Sequence, residues 1–505
     1  MNMIDSSNEW RKMIVEEKAK TLSIEKRAFI NGQYVEASNG AIISKKSSYD
    51  GFDLSGIADC TEEDLGFAVD CACNAFEKGE WKNKTAAERK TVLLKLAELM
   101  EENREELALL DTIETSRAFA NYYNDSIPKA IEAIRYYAEA VDKYYDWSIA
   151  PQNAAFSTIN RVPLGVVGII TPWNDPMVVA AWKFTPALLM GNSVVIKPAE
   201  QSSFSLIRTA QLAKEAGVPD GVFNVVTGRG ETVGKALALN MKVRGIYFTG
   251  SSDVGKLIMQ YAGQSNMKKV GLECGGKSPF IVSKNYRDLK NAARTLAQNV
   301  FYNQGQICTA SSRAIVDSDI YEKFVEELKR ASEDYVPGNP FDSENNVGGV
   351  VSKEQYERVN RYIDLAKKEG GNVYQTQKKK NVPEEACCIQ PTIVTGLMND
   401  ARCVREEIFG PVVTVIKSKS IEESIRIAND TKYGLAGAIF TDDINEAYYA
   451  ARNIEAGLVH INSWGEDTVH TPFGGFKESG LGKDRSFWAF DEFSELKTIW
   501  MKFKK

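Results

Sequence analysis

The sequence predicts an α/β fold whose centre is a parallel, doubly wound sheet. Two observations lead there. From about residue 163, short continuous apolar runs alternate with helix-length segments, and a second alternation of the same kind runs from about 280 to 478. Strand–helix–strand units at this spacing close through right-handed crossovers and build parallel sheets. With 505 residues, 43% hydrophobic and 26% charged, the chain has ample core for roughly three domains.

The elements follow in order. An opening helix is expected over about 7–20, then two short strands around an Asn-Gly turn in Phe29-Ile30-Asn31-Gly32-Gln33-Tyr34-Val35. Residues 61–78 and 85–110 read as helices; in the second, Thr85 and Glu88 form a capping box, and Val92, Leu96, Leu99, Leu107 and Leu110 recur at helical spacing. A helix at 126–145 carries Ile127, Ile131, Ile134, Ala138 and Val141 in the same way. These stripes are core. Then come apolar strands at 165–171, 193–197, 222–227, 244–248 and 270–273. Ligands bind such sheets at the carboxyl ends of the strands, where Asn174, Lys197, Glu200, the 249–255 loop and Glu273 fall. The second region has strands near 279–283, 313–317, 412–416, 437–440 and 458–461. Residues 150–162 and 494–501 are strand-like without obvious local partners, which suggests an oligomer interface.

Charge and cysteine usage exclude several classes. The net charge of −6, with no basic stripe, argues against a nucleic-acid partner. The lysines at 378–380 and the final Lys-Phe-Lys-Lys read as solvated surface. The N-terminus lacks the basic and apolar regions of a signal peptide, and apolar stretches such as 162–173 are too short to span a bilayer. A cytoplasmic protein without a membrane partner is expected. Eight cysteines (60, 71, 73, 274, 308, 387, 388 and 403) are too sparse for a disulfide framework, and their pairs lack zinc-site spacing, so no metal is expected. With His460 and His470 the only histidines, a carboxylate is the expected general base.

The chain is organised around Tyr302-Asn303-Gln304-Gly305-Gln306-Ile307-Cys308-Thr309, which lies between an amphipathic run and a β-branched one. A glycine-containing approach flanked by amides suits a single reactive thiol; the alternative is a buried structural cysteine. Gly228-Arg-Gly230-Glu-Thr-Val-Gly234 approximates a dinucleotide fingerprint whose last spacing is one residue too long. Residues 248–255 leave a strand and enter a helix whose N-terminal amides could face a pyrophosphate. Either loop could instead be a tight turn. Glu200 could accept hydrogen bonds from ribose hydroxyls and repel a 2′-phosphate, favouring NAD over NADP, or serve as a helix N-terminal acid.

Together these stretches resemble the aldehyde dehydrogenase superfamily over nearly the whole chain. The motifs that carry the resemblance are Pro172-Trp173-Asn174, Lys197-Pro198-Ala199-Glu200, Phe248-Thr249-Gly250-Ser251, Leu272-Glu273-Cys274-Gly275-Gly276-Lys277-Ser278-Pro279, Gly305-Gln306-Ile307-Cys308, Glu406-Glu407-Ile408-Phe409-Gly410-Pro411 and Pro472-Phe473-Gly474-Gly475-Phe476-Lys477. Tyr302-Asn303-Gln304, Ser265-Asn266-Met267-Lys268-Lys269 and the stretch from Phe493 to Trp500 are most similar to the γ-glutamyl-γ-aminobutyraldehyde dehydrogenase branch. The resemblance implies an aldehyde dehydrogenase-like fold with three parts. These are a Rossmann-type cofactor domain (1–144 and 163–279), an α/β catalytic domain (280–478) and a small β oligomerisation element (145–162 and 479–505) of a homodimer or homotetramer.

It also implies roles. Cys308 would attack the aldehyde to give a thiohemiacetal, with the Asn174 amide and the Cys308 N–H holding the oxyanion. Hydride loss to NAD (NADP is possible) would leave a thioester, for whose hydrolysis Glu273 would activate water. The cofactor would be held by Ile170, Thr171, Trp173, Lys197, Glu200, Gly230, Gly234, Phe248, Thr249, Gly250, Ser251, Glu407 and Phe409, and the substrate by Asp175, Trp182, Glu466, Asp467 and Phe473.

Three departures from the family pattern matter. Cys274 replaces a leucine and could condense with Cys308 under oxidation, or be a passive core substitution. The stretch Glu114-Thr-Ser-Arg117-Ala-Phe-Ala-Asn-Tyr122 lacks the family's Gly-Lys pattern. Asp175 stands where many relatives carry phenylalanine, and Glu466 and Asp467 fall in the opposite tunnel wall. An acidic tunnel mouth would favour an aminoaldehyde such as γ-glutamyl-γ-aminobutyraldehyde or 4-aminobutyraldehyde. The alternative is that Asp175 caps the following helix and the loop acids face water. Other readings are a broad-specificity aliphatic or betaine-type enzyme and, more distantly, a non-catalytic structural protein on this fold, as some lens crystallins are. Glu273 disfavours transfer to coenzyme A.

Overall fold

The structure, a computed structural model, describes residues 16–152, 155–342, 345, 347–377 and 382–503. Two large sheets dominate it. The first has eight strands, in the order Gly480–Leu481, Lys269–Glu273, Val243–Thr249, Val166–Ile170, Ser193–Lys197, Phe223–Val225, Ala28–Ile30 and Gln33–Val35. Its five central strands are parallel. Strand order reverses on either side of Val166–Ile170, so a crevice opens beyond its carboxyl end. Register then aligns the strand ends: Phe248 lies opposite Ile170, Ile170 opposite Lys197, and Thr249 opposite Glu273.

Period-two alternation splits these strands between two cores. Val167, Ile169, Val194 and Ile196 face one cluster, and Val166, Ile170 and Val195 face the other. The helices Glu62–Lys78, Ala86–Glu102, Ile127–Val141, Pro176–Leu189, Phe204–Ala216 and Ser252–Gln264 cover the two faces. The second sheet has seven strands, in the order Asn372–Gln375, Thr392–Thr395, Val412–Ser418, Arg313–Asp317, Pro279–Val282, Ala436–Phe440 and Leu458–Ile461. All its pairs are parallel except the first. No helix among the described residues is long and apolar enough to cross a membrane.

Several expectations hold in detail. Asn31 and Gly32 take positive φ (52° and 74°) in the turn between the first two strands, as a tight hairpin requires. Thr85 and Glu88 form a reciprocal capping box. Others need correction. The opening helix lies mostly outside the described residues, of which 16–21 are helical; the lysines at 378–380 also lie outside them. The helix expected over 85–110 is two, Ala86–Glu102 and Arg104–Thr115. The Asn103 side chain donates to the Leu99 carbonyl at 2.7 Å, ending the first helix by competing for its backbone. The buried stripe there is Leu93, Leu96 and Met100, while Val92 and Leu99 are only half-buried. The strands Asn372–Gln375 and Thr392–Thr395 were not expected; both are four residues long and half polar.

The strand-like pieces near 150–162 and 494–501 are not unpaired. Trp147–Gln152, Ala155–Pro163 and Ser494–Lys502 form their own antiparallel three-stranded sheet. Of the tail assigned to that element, Gly480–Leu481 instead extends the first sheet beside Leu272 and Glu273. The small sheet keeps Trp147, Leu496, Trp500 and Met501 at least half exposed.

Candidate active site

A cavity of about 590 Å³ lies beyond the carboxyl ends of the first sheet. The strand Val166–Ile170 supplies Trp173 and Asn174 through the loop that follows it, and the strand Lys269–Glu273 ends on Glu273. From the second sheet's side come Cys308, Glu407 and Phe409. All six line the one cavity.

Cys308 is placed by a loop of unusual backbone. Asn303, Gln304 and Gly305 hold consecutive positive φ values of 50°, 54° and 68°. Two of these are non-glycine residues, a conformation that persists only where neighbours over-determine it. The amides of the stretch do so. Asn303 Nδ2 donates to the Asn174 carbonyl (3.2 Å) and the Gln306 carbonyl (3.3 Å), Gln306 Nε2 donates to Asn303 O (3.1 Å), and Gln306 Oε1 accepts from Val351 N (3.0 Å). Asn174 Nδ2 donates to Gln306 O at 3.0 Å, tying the amide to the cysteine loop. Behind the loop, a Cβ on Gly276 would fall 2.6 Å from the Cys308 carbonyl, and one on Gly275 would collide with the Glu407 carboxylate. Two glycines therefore let Glu273, Cys308 and Glu407 approach one another.

Glu273 is 5% exposed, and its Oε2 has no hydrogen-bond partner. Its Oε1 lies against Gly474, where a Cβ would be 2.5 Å away. Burial, then the Asp484 charge, hold this carboxyl well above the usual range, opposed by Lys183, Lys483 and Arg485. Asp484 lines the cavity and is itself paired with buried Lys183 at 2.6 Å. The sequence reading missed both residues. A lone lysine in the otherwise uncharged helix Pro176–Leu189 was the available signal. Burial pushes the Cys308 thiol up to about 12, with Glu273 and Glu407 adding to it.

That shift makes a prediction for the cofactor-free protein. A raised thiol pKa means that little thiolate exists near neutrality and that its fraction grows with pH. Alkylation of Cys308 by iodoacetamide should therefore accelerate by about tenfold per pH unit from pH 7 to 10 without a plateau. Peptide mapping against pH checks this, and a plateau below pH 8 would contradict it.

The expected cofactor residues fall in two groups. Trp173, Thr249, Gly250, Ser251, Glu407 and Phe409 line the cavity. Trp173 and Phe409 meet edge to face at 5.2 Å, Gly276 N donates to Glu407 Oε1 at 2.9 Å, and Ser251 caps the helix Ser252–Gln264 by accepting from Val254 N. Lys197, Glu200, Gly230 and Gly234 do not line it but cluster together. Glu200 Oε1 accepts from Lys197 Nζ (3.1 Å) and Gly230 N (2.7 Å), and a Cβ on Gly234 would sit 3.5 Å from Lys197 Cδ. Ile170 and Phe248 are buried at the strand ends, and Thr171 N donates to the Lys197 carbonyl at 3.1 Å. The sequence reading missed Gln355, Arg358, Tyr362 and Lys432, which also line the cavity. They come from a helix and a loop whose polar pattern looks like solvated surface.

On the other side Trp182 and Phe473 line the cavity, with ring centroids 5.1 Å apart. The expected acidic mouth is compensated. Asp175 pairs with buried Arg117 at 3.5 Å, and Asp467 pairs with buried Arg485 at 2.6 Å; neither acid lines the cavity. Asp175 occupies the N-cap position of its helix but makes no capping hydrogen bond. Glu466 is exposed. Buried acids draw in counter-charges because desolvation is costly, and the arginines lie too far away in sequence for the pairing to be read. Cys274 is buried with its thiol pushed up to about 12 by burial, and its Sγ fills the space beside Gly255. It belongs to the core cluster on one face of the first sheet and also lines the cavity that holds Cys308.

A thiol, an unpartnered buried carboxylate and an amide donor around one cavity make a site for acyl chemistry at a carbonyl carbon. Comparison with known proteins agrees. Residues 34–499 match the family model described as the aldehyde dehydrogenase family. The chain is 41% identical over 484 residues to an aminoacetaldehyde dehydrogenase of Pseudomonas aeruginosa, covering 96% of this chain and 97% of that protein. Among solved structures it is similar to a γ-glutamyl-γ-aminobutyraldehyde dehydrogenase from Burkholderia cenocepacia (TM-score 0.95, 43% identity, 98% of this chain and 100% of that one). It is also similar to a mutant of the P. syringae indole-3-acetaldehyde dehydrogenase AldA in complex with NAD+ and IAA (TM-score 0.95, 42% identity, 97% and 99%).

Proposed function

Because this chain belongs to the aldehyde dehydrogenase family, we propose that it oxidises an aminoaldehyde to the carboxylate with NAD, through a covalent intermediate on Cys308. The observation that carries this reading is the convergence of Cys308, Asn174 and Glu273 on one cavity. The Cys308 sulfur attacks the aldehyde carbon, and the forming oxyanion is met by the Asn174 side-chain amide and the Cys308 N–H. Bound NAD would supply the hydride acceptor needed for the Cys308 thiohemiacetal to become a thioester. Glu273 then takes a proton from water as that water attacks the thioester. Burial raises its pKa above the ordinary carboxylate range, which makes its ionised form a stronger base than an exposed glutamate. The C–S bond breaks, releasing the carboxylate and restoring Cys308.

The residues present fit the cofactor. Thr249 Oγ1 is buried without a partner at the cavity, the glycines at 250 and 275 leave room there, and Glu407 faces the same space. Glu407 would hold one ribose, and the Lys197–Glu200 cluster the other. A carboxylate at 200 disfavours a 2′-phosphate without forbidding NADP. We assign 1–144 with 163–279 to the cofactor domain and 280–478 to the catalytic domain. The three-stranded sheet would join subunits of a homodimer or homotetramer, since its exposed apolar residues form the kind of patch that partners cover. A cytoplasmic location suits the reaction.

The substrate class rests on the two aminoaldehyde-oxidising relatives. A generalist reading is favoured by a different observation: the apolar wall of Val179, Trp182 and Phe473, with Asp175 and Asp467 already paired to arginines. Steady-state NADH formation with 4-aminobutyraldehyde and with butyraldehyde separates them. On the aminoaldehyde reading the amine should be preferred by about tenfold or more in kcat/KM, a difference of about 1.4 kcal/mol. Equal rates or a preference for butyraldehyde would sink the aminoaldehyde reading.

A further inference from the structure

We infer that Arg117 is a positioning residue for the oxyanion site, clamping the Asn174 loop to the loop that carries Cys308. The inference rests on the roles given above to Asn174 and Cys308, and adds to them a side chain that does not itself line the cavity.

Arg117 is 3% exposed and lies in the segment that departs from the family pattern. Its guanidinium reaches both halves of the site. One Nη donates to the Asn174 backbone carbonyl (3.5 Å) and pairs with Asp175 Oδ2 (3.5 Å); the other donates to the Tyr302 hydroxyl at 2.9 Å. The planar group also sits between two rings, 4.7 Å from the centre of Tyr122 and 5.1 Å from that of Tyr302. Tyr302 in turn donates to Asp125 Oδ2 (3.2 Å), which is paired with Lys129 (2.8 Å).

The chain of contacts matters because of what it holds. Tyr302 immediately precedes the left-handed pair Asn303–Gln304, and Asn303 reaches back to the same Asn174 carbonyl that Arg117 contacts. The Asn174 carbonyl is thus gripped by a donor from each side, and its side-chain amide is aimed across at Gln306, two residues before Cys308. The Arg117 guanidinium therefore contacts both the Asn174–Asp175 turn and the Tyr302 end of the cysteine loop. A lysine carries the charge but cannot offer two donors in a fixed plane while stacking between rings.

The test is a set of variants assayed for kcat, NADH affinity and Cys308 alkylation. Arg117→Ala should lower kcat by about 10- to 100-fold, the effect of misplacing a reacting group by about 1 Å. NADH binding by fluorescence titration and the alkylation rate, which need no oxyanion donor, should stay within about twofold. Arg117→Lys should keep most of the defect, and guanidinium ion should partly restore Arg117→Ala. Should Arg117→Ala not fold, Tyr302→Phe removes one of the two grips without emptying the site and should still lower kcat by several-fold. An unchanged kcat in either variant, full activity with lysine, or alkylation falling in step with kcat would overturn the inference. Cys308→Ser is run alongside. If it is inactive while Arg117→Ala is fully active, the positioning role fails and the proposed function stands; if Cys308→Ser is active, the proposed function itself fails.

Discussion

Cys308→Ser is expected to lower kcat/KM for aldehyde oxidation by about four orders of magnitude or more, the scale on which loss of a nucleophile acts. The serine hydroxyl is far less nucleophilic than a thiolate, and neither carboxylate near it, Glu273 or Glu407, is basic enough to ionise a hydroxyl. The fold should tolerate the change, because Cys308 is only half-buried and a serine hydroxyl can keep the backbone hydrogen bonds that the Thr309 and Cys308 N–H groups give the thiol. NADH binding should therefore persist with little change. Steady-state NADH formation, with a thermal melt to confirm folding, checks this. Substantial residual turnover would remove Cys308 from the chemistry.

Glu273→Gln is the second large effect, and it has a different kinetic shape. Glutamine matches the carboxylate in size but cannot take a proton from water, so thioester hydrolysis should slow by about 10²- to 10⁴-fold. The earlier steps depend on Cys308 and Asn174. Rapid mixing with NAD and aldehyde should then show a burst of about one NADH per site followed by a slow phase, the signature of an accumulating acyl-enzyme. In the unaltered protein the hydrolytic step should quicken as pH rises, because burial and the Asp484 charge hold the Glu273 carboxyl above its usual range and only the ionised form is a base. The glutamine variant should lose that dependence. A variant that gives neither burst nor slow turnover would place Glu273 before the thioester.

Much of the site was legible in the sequence because its residues lie at the ends of regular elements. Glu273 closes a buried parallel strand, Asn174 follows another, and Cys308 follows a glycine turn, so element order and motif order coincide. What was not legible is held together across the chain. Lys183 meets Asp484 from 301 residues away, and Arg117 meets Asp175 and Tyr302 from different elements. Nothing in the local pattern of either segment specifies the partner. The same reason explains the acidic mouth: Asp175 and Asp467 could be seen, but the arginines that pair with them could not. Strand pairing behaved alike. Ser494–Lys502 and Ala155–Pro163 each looked unpartnered until the fold brought one against the other.

The most direct test of the account is intact-mass and peptide-mapping analysis of Glu273→Gln after brief mixing with NAD and aldehyde. A single adduct is expected on the Cys308 peptide, heavier by the mass of the aldehyde less two hydrogens, as a thioester requires. No adduct under conditions where NADH has formed, or an adduct on another cysteine, would contradict it.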